Sequence, residues 1–89
     1  MEKYNFYSDP GHGWLEVPIA ELKKLGIYKK ITGYSYYKGD MAYLEEDCDA
    51  STFIHAKEAT ENKSFIFRDR IREIYQDPTP IRDYKHFHS

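Results

Sequence analysis

Apolar and polar positions change period several times along this chain, and each change marks an element. Tyr4-Asn-Phe-Tyr7 reads as a short extended piece, followed by a loop of turn formers, Ser8-Asp-Pro-Gly-His-Gly13. Trp14-Leu-Glu-Val17 resumes an extended run. Apolar residues then fall at 19, 22 and 25 with Pro18 before them and Gly26 after, which predicts a two-turn helix with proline at its first position and glycine beyond its last turn. Ile27 is placed to pack back onto that helix as the residue after the glycine, and Lys29-Lys30 occupies a connecting turn.

Two β-prone runs, 31–37 and 41–46, flank Lys38-Gly39-Asp40, and a short glycine-containing connection between such runs predicts a hairpin. Side-chain alternation puts Tyr34 and Tyr36 on one face and Ile31, Gly33, Ser35 and Tyr37 on the other. On the second strand Met41, Tyr43 and Glu45 oppose Ala42 and Leu44. Neither face is wholly apolar, so one aromatic row faces solvent.

Residues 49–61 predict a longer helix lying across the sheet, with Phe53, Ala56 and Ala59 or Thr60 on one side and Asp49 as the cap whose carboxylate accepts from the first free backbone N–H groups. Asn62-Lys-Ser64 is a turn. Residues 65–75 carry both periods, and the alternation of Arg68, Arg70 and Arg72 against Asp69, Ile71 and Glu73 decides for strand. Gln76-Asp-Pro-Thr-Pro80 breaks it. The basic, aromatic segment 81–88 either adds an edge strand or stays loose until bound. These elements make a single α+β domain over 1–89: a small, mainly antiparallel sheet with a central hairpin, one short helix and one longer helix.

Composition changes this picture in one respect. A chain of 89 residues makes a thin core, and its 40% hydrophobic and 31% charged residues are ordinary for a globular domain, but nine Tyr and five Phe are not. Such rings supply large contact areas at low entropic cost, in a core or on a binding face. The lone Cys48 excludes an internal disulfide and a multi-cysteine zinc site. No long apolar run and no signal-like start is present, so the expectation is a cytoplasmic protein with no membrane partner.

The net charge of −2 is unevenly spread: residues 40–61 hold seven acids and one Lys, about −6, between ends of about +2 each. Bulk attraction to nucleic acid is not expected at this balance, whereas an acidic face suits a basic surface on a partner.

Four constellations bear on chemistry. His12 lies between glycines, open to acid–base work or ligand contact. Glu45, Glu46, Asp47 and Asp49 offer oxygen ligands, but their spacing is not that of a calcium loop. His86 and His88 on the terminal segment, with His55 on the second helix, have the residue types of a metal site without a defining pattern. Arg68, Arg70 and Arg72 form a one-sided basic row if strand-borne, with Arg82 and Lys85 nearby in sequence. No phosphate-binding glycine loop is present. The expectation is therefore no cofactor, no metal and no catalytic residue.

Three blocks, Asp9-Pro-Gly-His-Gly-Trp-Leu-Glu-Val17, Ile31-Thr-Gly-Tyr-Ser-Tyr-Tyr-Lys-Gly-Asp-Met-Ala-Tyr-Leu-Glu-Glu-Asp-Cys-Asp49 and Ile81-Arg-Asp-Tyr84, resemble those of short uncharacterised proteins of phages and other mobile elements. The resemblance covers roughly half the chain. It implies a mobile-element setting and carries over no activity or catalytic residue. Small accessory proteins in that setting often inhibit host enzymes, so the leading expectation is a non-enzymatic protein-binding inhibitor of a host defence nuclease complex, of anti-CRISPR or anti-restriction type. Its contact surface would use Tyr34, Tyr36, Tyr37, Tyr43, Glu45, Glu46, Asp47 and Asp49, with His12, Arg82 and Tyr84. The alternatives are a nucleic-acid-binding module through Arg68, Arg70 and Arg72, and a small metal-dependent hydrolase using His12 with Asp47 and Asp49. A host or phage protein is the leading partner; a nucleic acid, or a second copy meeting at the hairpin, is also compatible.

Overall fold

The computed structural model describes residues 4–61 and 70–88, and within them the chain forms a six-stranded mixed sheet with two helices. In chain order these are β1 (Tyr4–Ser8), β2 (Gly13–Pro18), α1 (Ile19–Lys24), β3 (Tyr36–Lys38), β4 (Met41–Glu45), α2 (Asp49–Glu61), β5 (Ile71–Tyr75) and β6 (Lys85–His86). The strand order is β5-β1-β2-β4-β3-β6. Only β1 and β5 run parallel, so the fold is the expected small α+β domain with a mainly antiparallel sheet.

Alternation along the strands separates two faces. Leu15 and Val17 of β2 and Ala42 and Leu44 of β4 are fully buried beneath the helices, where they meet Leu22 of α1 and Phe53 of α2. Tyr4 adds an edge-to-face contact with Phe53, ring centroids 5.4 Å apart. The opposite face carries Trp14, Tyr43 and Ile81 as a second, smaller cluster, bordered by Tyr7, Tyr36, Met41 and Tyr84. No helix covers it among the described residues; the 3-10 turn Pro80–Asp83 lies across it through the buried Ile81.

Several local readings need correction. Pro18 is not the first helical residue: its ψ of 133° keeps it extended, paired with Met41 at the end of β2, and α1 begins at Ile19, whose N–H donates to Asp40 O. The carboxyl end of α1 is closed as expected, with Gly26 N donating to Lys23 O and Ile27 N to Leu22 O. The first hairpin strand is far shorter than 31–37, because residues 32–35 fold into a turn fastened to Asp49 before β3 begins. The hairpin itself stands: Lys38 pairs with Met41 across Gly39-Asp40, and Gly39 takes φ +61°, the left-handed conformation that a two-residue turn demands.

Of the two alternatives for 81–88, the structure shows the edge strand. Ile81 is buried to 1% exposure, Phe87 to 4%, and β6 pairs with β3 as an edge strand. The strand read over 65–75 holds for Ile71–Tyr75 but not for Arg70, which is helical, while the turn at 62–64 and residues 65–69, Arg68 included, lie outside the described residues.

The two helices are also joined by charge. Lys57 is buried on the inner side of α2 and donates to Glu21 of α1, which accepts from the Tyr4 hydroxyl as well. Glu61 lies 3.5 Å from Lys57 and 3.0 Å from Arg70. Hydrogen bonding from Arg70 holds the Glu61 carboxyl below the usual carboxylate range. Such a network is costly to break from one side, because a buried charge is then left uncompensated.

At Gly13, where β2 begins, an added Cβ would sit 2.4 Å from Cζ of Phe6 on the neighbouring strand. Gly13→Ala is therefore expected to destabilise the fold by about 1–3 kcal/mol through overpacking, read as a lower urea midpoint at unchanged slope.

Candidate functional site

The loop between β1 and β2 is organised by one carboxylate. Asp9 Oδ1 accepts from the backbone N–H of Gly11 and of His12, each at 2.9 Å, so the Asp-Pro-Gly-His sequence closes a turn that presents His12. The same side chain takes a two-pronged bond from Arg82, Nε to Oδ2 at 2.6 Å and Nη2 to Oδ1 at 2.9 Å. That pair joins the amino-terminal loop to the carboxyl-terminal segment. The Arg82 guanidinium also lies 5.3 Å from the Trp14 ring.

Bonding to Arg82 holds the Asp9 carboxyl well below the usual carboxylate range, and the Arg82 guanidinium is correspondingly raised. With the folded value depressed, the stabilisation is fully present above the unfolded value of about 4 and is lost as pH falls below it. The melting-temperature advantage of the wild type over Asp9→Asn should be constant between about pH 7 and pH 5 and shrink steadily below about pH 4, which paired thermal scans would read.

Asp49 has a different task from the one its sequence position suggests. It is fully buried, and its Oδ2 accepts from Thr32 N at 3.0 Å, Thr32 Oγ1 at 2.8 Å and the Ser35 hydroxyl. It holds the 32–35 turn rather than the end of its own helix. Ser35 Oγ in turn accepts from Glu45 N at 3.0 Å, and Ser35 O accepts from Phe87 N at 2.8 Å. Ser35 thus ties β4 and β6 together where β3 gives out.

These supports surround a recess of about 410 Å³ on the sheet face of Trp14 and Tyr43, lined by His12, Trp14, Tyr34, Tyr36, Glu45, Asp47, Cys48, Arg82 and His86. His12 Nδ1 is 3.9 Å from Glu45 Oε2, and Glu45 Oε1 accepts from Asp47 N at 3.1 Å. Tyr36 stacks on His86 with centroids 4.6 Å apart and meets Trp14 edge-on at 6.2 Å. Gly33 O lies 2.8 Å from His86 Nδ1 and steadies that ring. Tyr34 is 74% exposed at the mouth. Trp14 is 2% exposed, and its Nε1 has no acceptor among the described residues.

Six expected contact residues therefore meet in one place: His12, Tyr34, Tyr36, Glu45, Asp47 and Arg82. Others do not. Tyr37 points to the helix side, against Phe87 and His88. Asp49 is sealed in the core, so it shares no open site with His12 and Asp47. Tyr43 is a floor residue, packed on Tyr84 at 5.1 Å with its hydroxyl donating to Glu16 at 2.9 Å; burial, then Glu16, raises that phenol far above its ordinary value. Tyr84 itself borders a separate shallow depression with Tyr37, Lys38 and Pro80. Glu46 is exposed beside the recess without lining it.

The arginine row is also dispersed. Arg70 precedes β5 and is engaged by Glu61, whereas Arg72 is exposed on the strand. Among the described residues no group of three or more His, Cys, Asp or Glu side chains is placed to hold a metal ion. Cys48, although it lines the recess, has its thiol pushed up by the adjacent Asp49 carboxylate and then by burial, which disfavours a nucleophilic thiolate.

Three lining residues were not expected as contacts: Trp14, Cys48 and His86. His86 had a signal in the strand period, since burial of Phe87 sends its neighbour to the opposite face. Comparison with known proteins finds no matching family model, no matching curated protein and no matching solved structure. No helix among the described residues is long and apolar enough to cross a membrane.

Proposed function

We propose that this protein is a small non-enzymatic binding protein that captures another protein through the recess between the Asp9–Arg82 clamp and the 32–36 segment. The observation that carries this reading is the convergence of exposed Tyr34 and half-buried Tyr36 with Glu45 and Asp47 on a sheet face that no described helix covers. Aromatic anchors in a recess with a polar margin are the make-up of an interaction hot spot. The acidic charge of residues 40–61 supports a basic partner surface over a phosphate backbone.

The resemblance to short phage and mobile-element proteins supports an accessory role, and the partner class we propose is a host defence nuclease complex of restriction or CRISPR type, in the cytoplasm. The test is reconstitution with purified complexes of both types, scored by inhibition of DNA cleavage and by co-elution. Inhibition lost on Tyr34→Ala/Glu45→Lys supports the reading. A complex that forms equally well with this variant contradicts it.

A further inference from the structure

Resting on that protein-binding reading, the geometry points to one occupant of the recess: we propose that it receives an arginine side chain projecting from the partner. The charges inside the recess are not balanced. Arg82, the one permanent cation among its lining residues, directs two bonds to Asp9, which is outside the lining. Glu45 has as its nearest basic group only His12, at 3.9 Å, and Asp47 makes no ion pair with a described residue. Two carboxylates therefore face the space with little compensation, which favours a cation and opposes phosphate.

The walls narrow the choice of cation. Tyr34 and Tyr36 offer aromatic surface at the mouth, and a planar guanidinium stacks on such rings while directing its forked N–H groups to carboxylates, which a compact ammonium does less well. Trp14, almost wholly buried, forms part of the wall beside them, so its indole reports on what enters the recess. The volume of about 410 Å³ admits one long side chain and its flanking backbone.

The test is a ¹⁵N NMR titration of the full chain with a blocked glycine–arginine–glycine peptide and with the same peptide carrying citrulline, which keeps the shape and removes the charge. Saturable shifts of the Trp14 indole N–H and of the Glu45 and Asp47 amides are expected with the arginine peptide, with binding at least about fivefold weaker for citrulline. Glu45→Gln/Asp47→Asn, which keeps the hydrogen-bonding shape of both side chains, should remove that preference. Equal affinity for the two peptides, or an arginine response that ignores the double variant, would overturn the inference. So would a silent recess. If the recess is silent while a reconstituted partner still depends on Tyr34 and Tyr36, arginine is the wrong occupant and the protein-binding reading survives; if that dependence is also absent, both fall.

Discussion

Asp49→Ala is expected to cost about 3–5 kcal/mol, a large effect on folding for a single polar substitution, because it strands several donors at once. The Thr32 N–H, the Thr32 hydroxyl and the Ser35 hydroxyl all converge on one carboxylate oxygen in a position with no solvent exposure. Hydrogen bonds to a charged acceptor contribute about 1.5–3 kcal/mol each, and a buried donor left without a partner costs about 1–3 kcal/mol, with partial relaxation keeping the total below the sum. A domain of 89 residues has a stability of roughly 4–13 kcal/mol, so the variant should be largely unfolded at the low end of that range. Ser35→Ala removes one donor and the acceptor for Glu45 N, and should cost about 1–2 kcal/mol. Urea denaturation of both variants checks the order. If Asp49→Ala behaved like a surface cap substitution, with a loss below about 1 kcal/mol, the assigned role of Asp49 would be wrong.

The same residue shows how far the sequence could be read. An aspartate opening a helical stretch suits a cap, and nothing local distinguishes that from a carboxylate turned inward to residues 14 and 17 positions earlier. The long strand expected over 31–37 failed for the same reason: its β-prone composition was overridden at 32–35 by bonds to a residue on another element. Local signals fared better. The alternation in β2 and β4, Gly39 in the turn and the closure of α1 after Leu25 all depend on neighbours within a few residues. Lys57 illustrates the converse, a charged residue on the buried side of α2 that is legible only once Glu21, far away in sequence, is seen opposite it.

The recess was legible in composition and not in assembly. His12, Tyr34, Tyr36, Glu45 and Asp47 stood out as residue types, but the contact that closes the site joins Asp9 to Arg82 across 73 positions. Tyr37 belongs to the same continuous aromatic run as Tyr34 and Tyr36, but the alternation that sets it on the opposite face in the sequence is the one the structure keeps, so it does not join them as a contact. Glu45 and Asp47 remain open to the recess while Asp49, two positions further on, is enclosed, so the acidic run has two different roles.

The second large effect belongs to binding. Tyr36→Ala removes the ring that stacks on His86 and abuts Trp14 in the recess, and should weaken capture of the partner at least about 100-fold, in the range of an interaction hot spot. Tyr34, exposed at the mouth, should show a smaller loss of about 10-fold on truncation to Ala, since less of its area is already organised. Tyr75 is also exposed, at 65%, but lies outside the recess at the far edge of the sheet. Tyr75→Ala should leave affinity within about twofold of wild type, which separates a specific site from general aromatic stickiness.

The most direct measurement is the affinity of a reconstituted partner for wild type, Tyr36→Ala and Tyr75→Ala, each first shown by circular dichroism and thermal melting to be folded. Loss confined to Tyr36→Ala is the predicted result and places the contact at the recess. Equal affinity for all three, or loss confined to Tyr75→Ala, would contradict the claim that this protein acts by binding through that site.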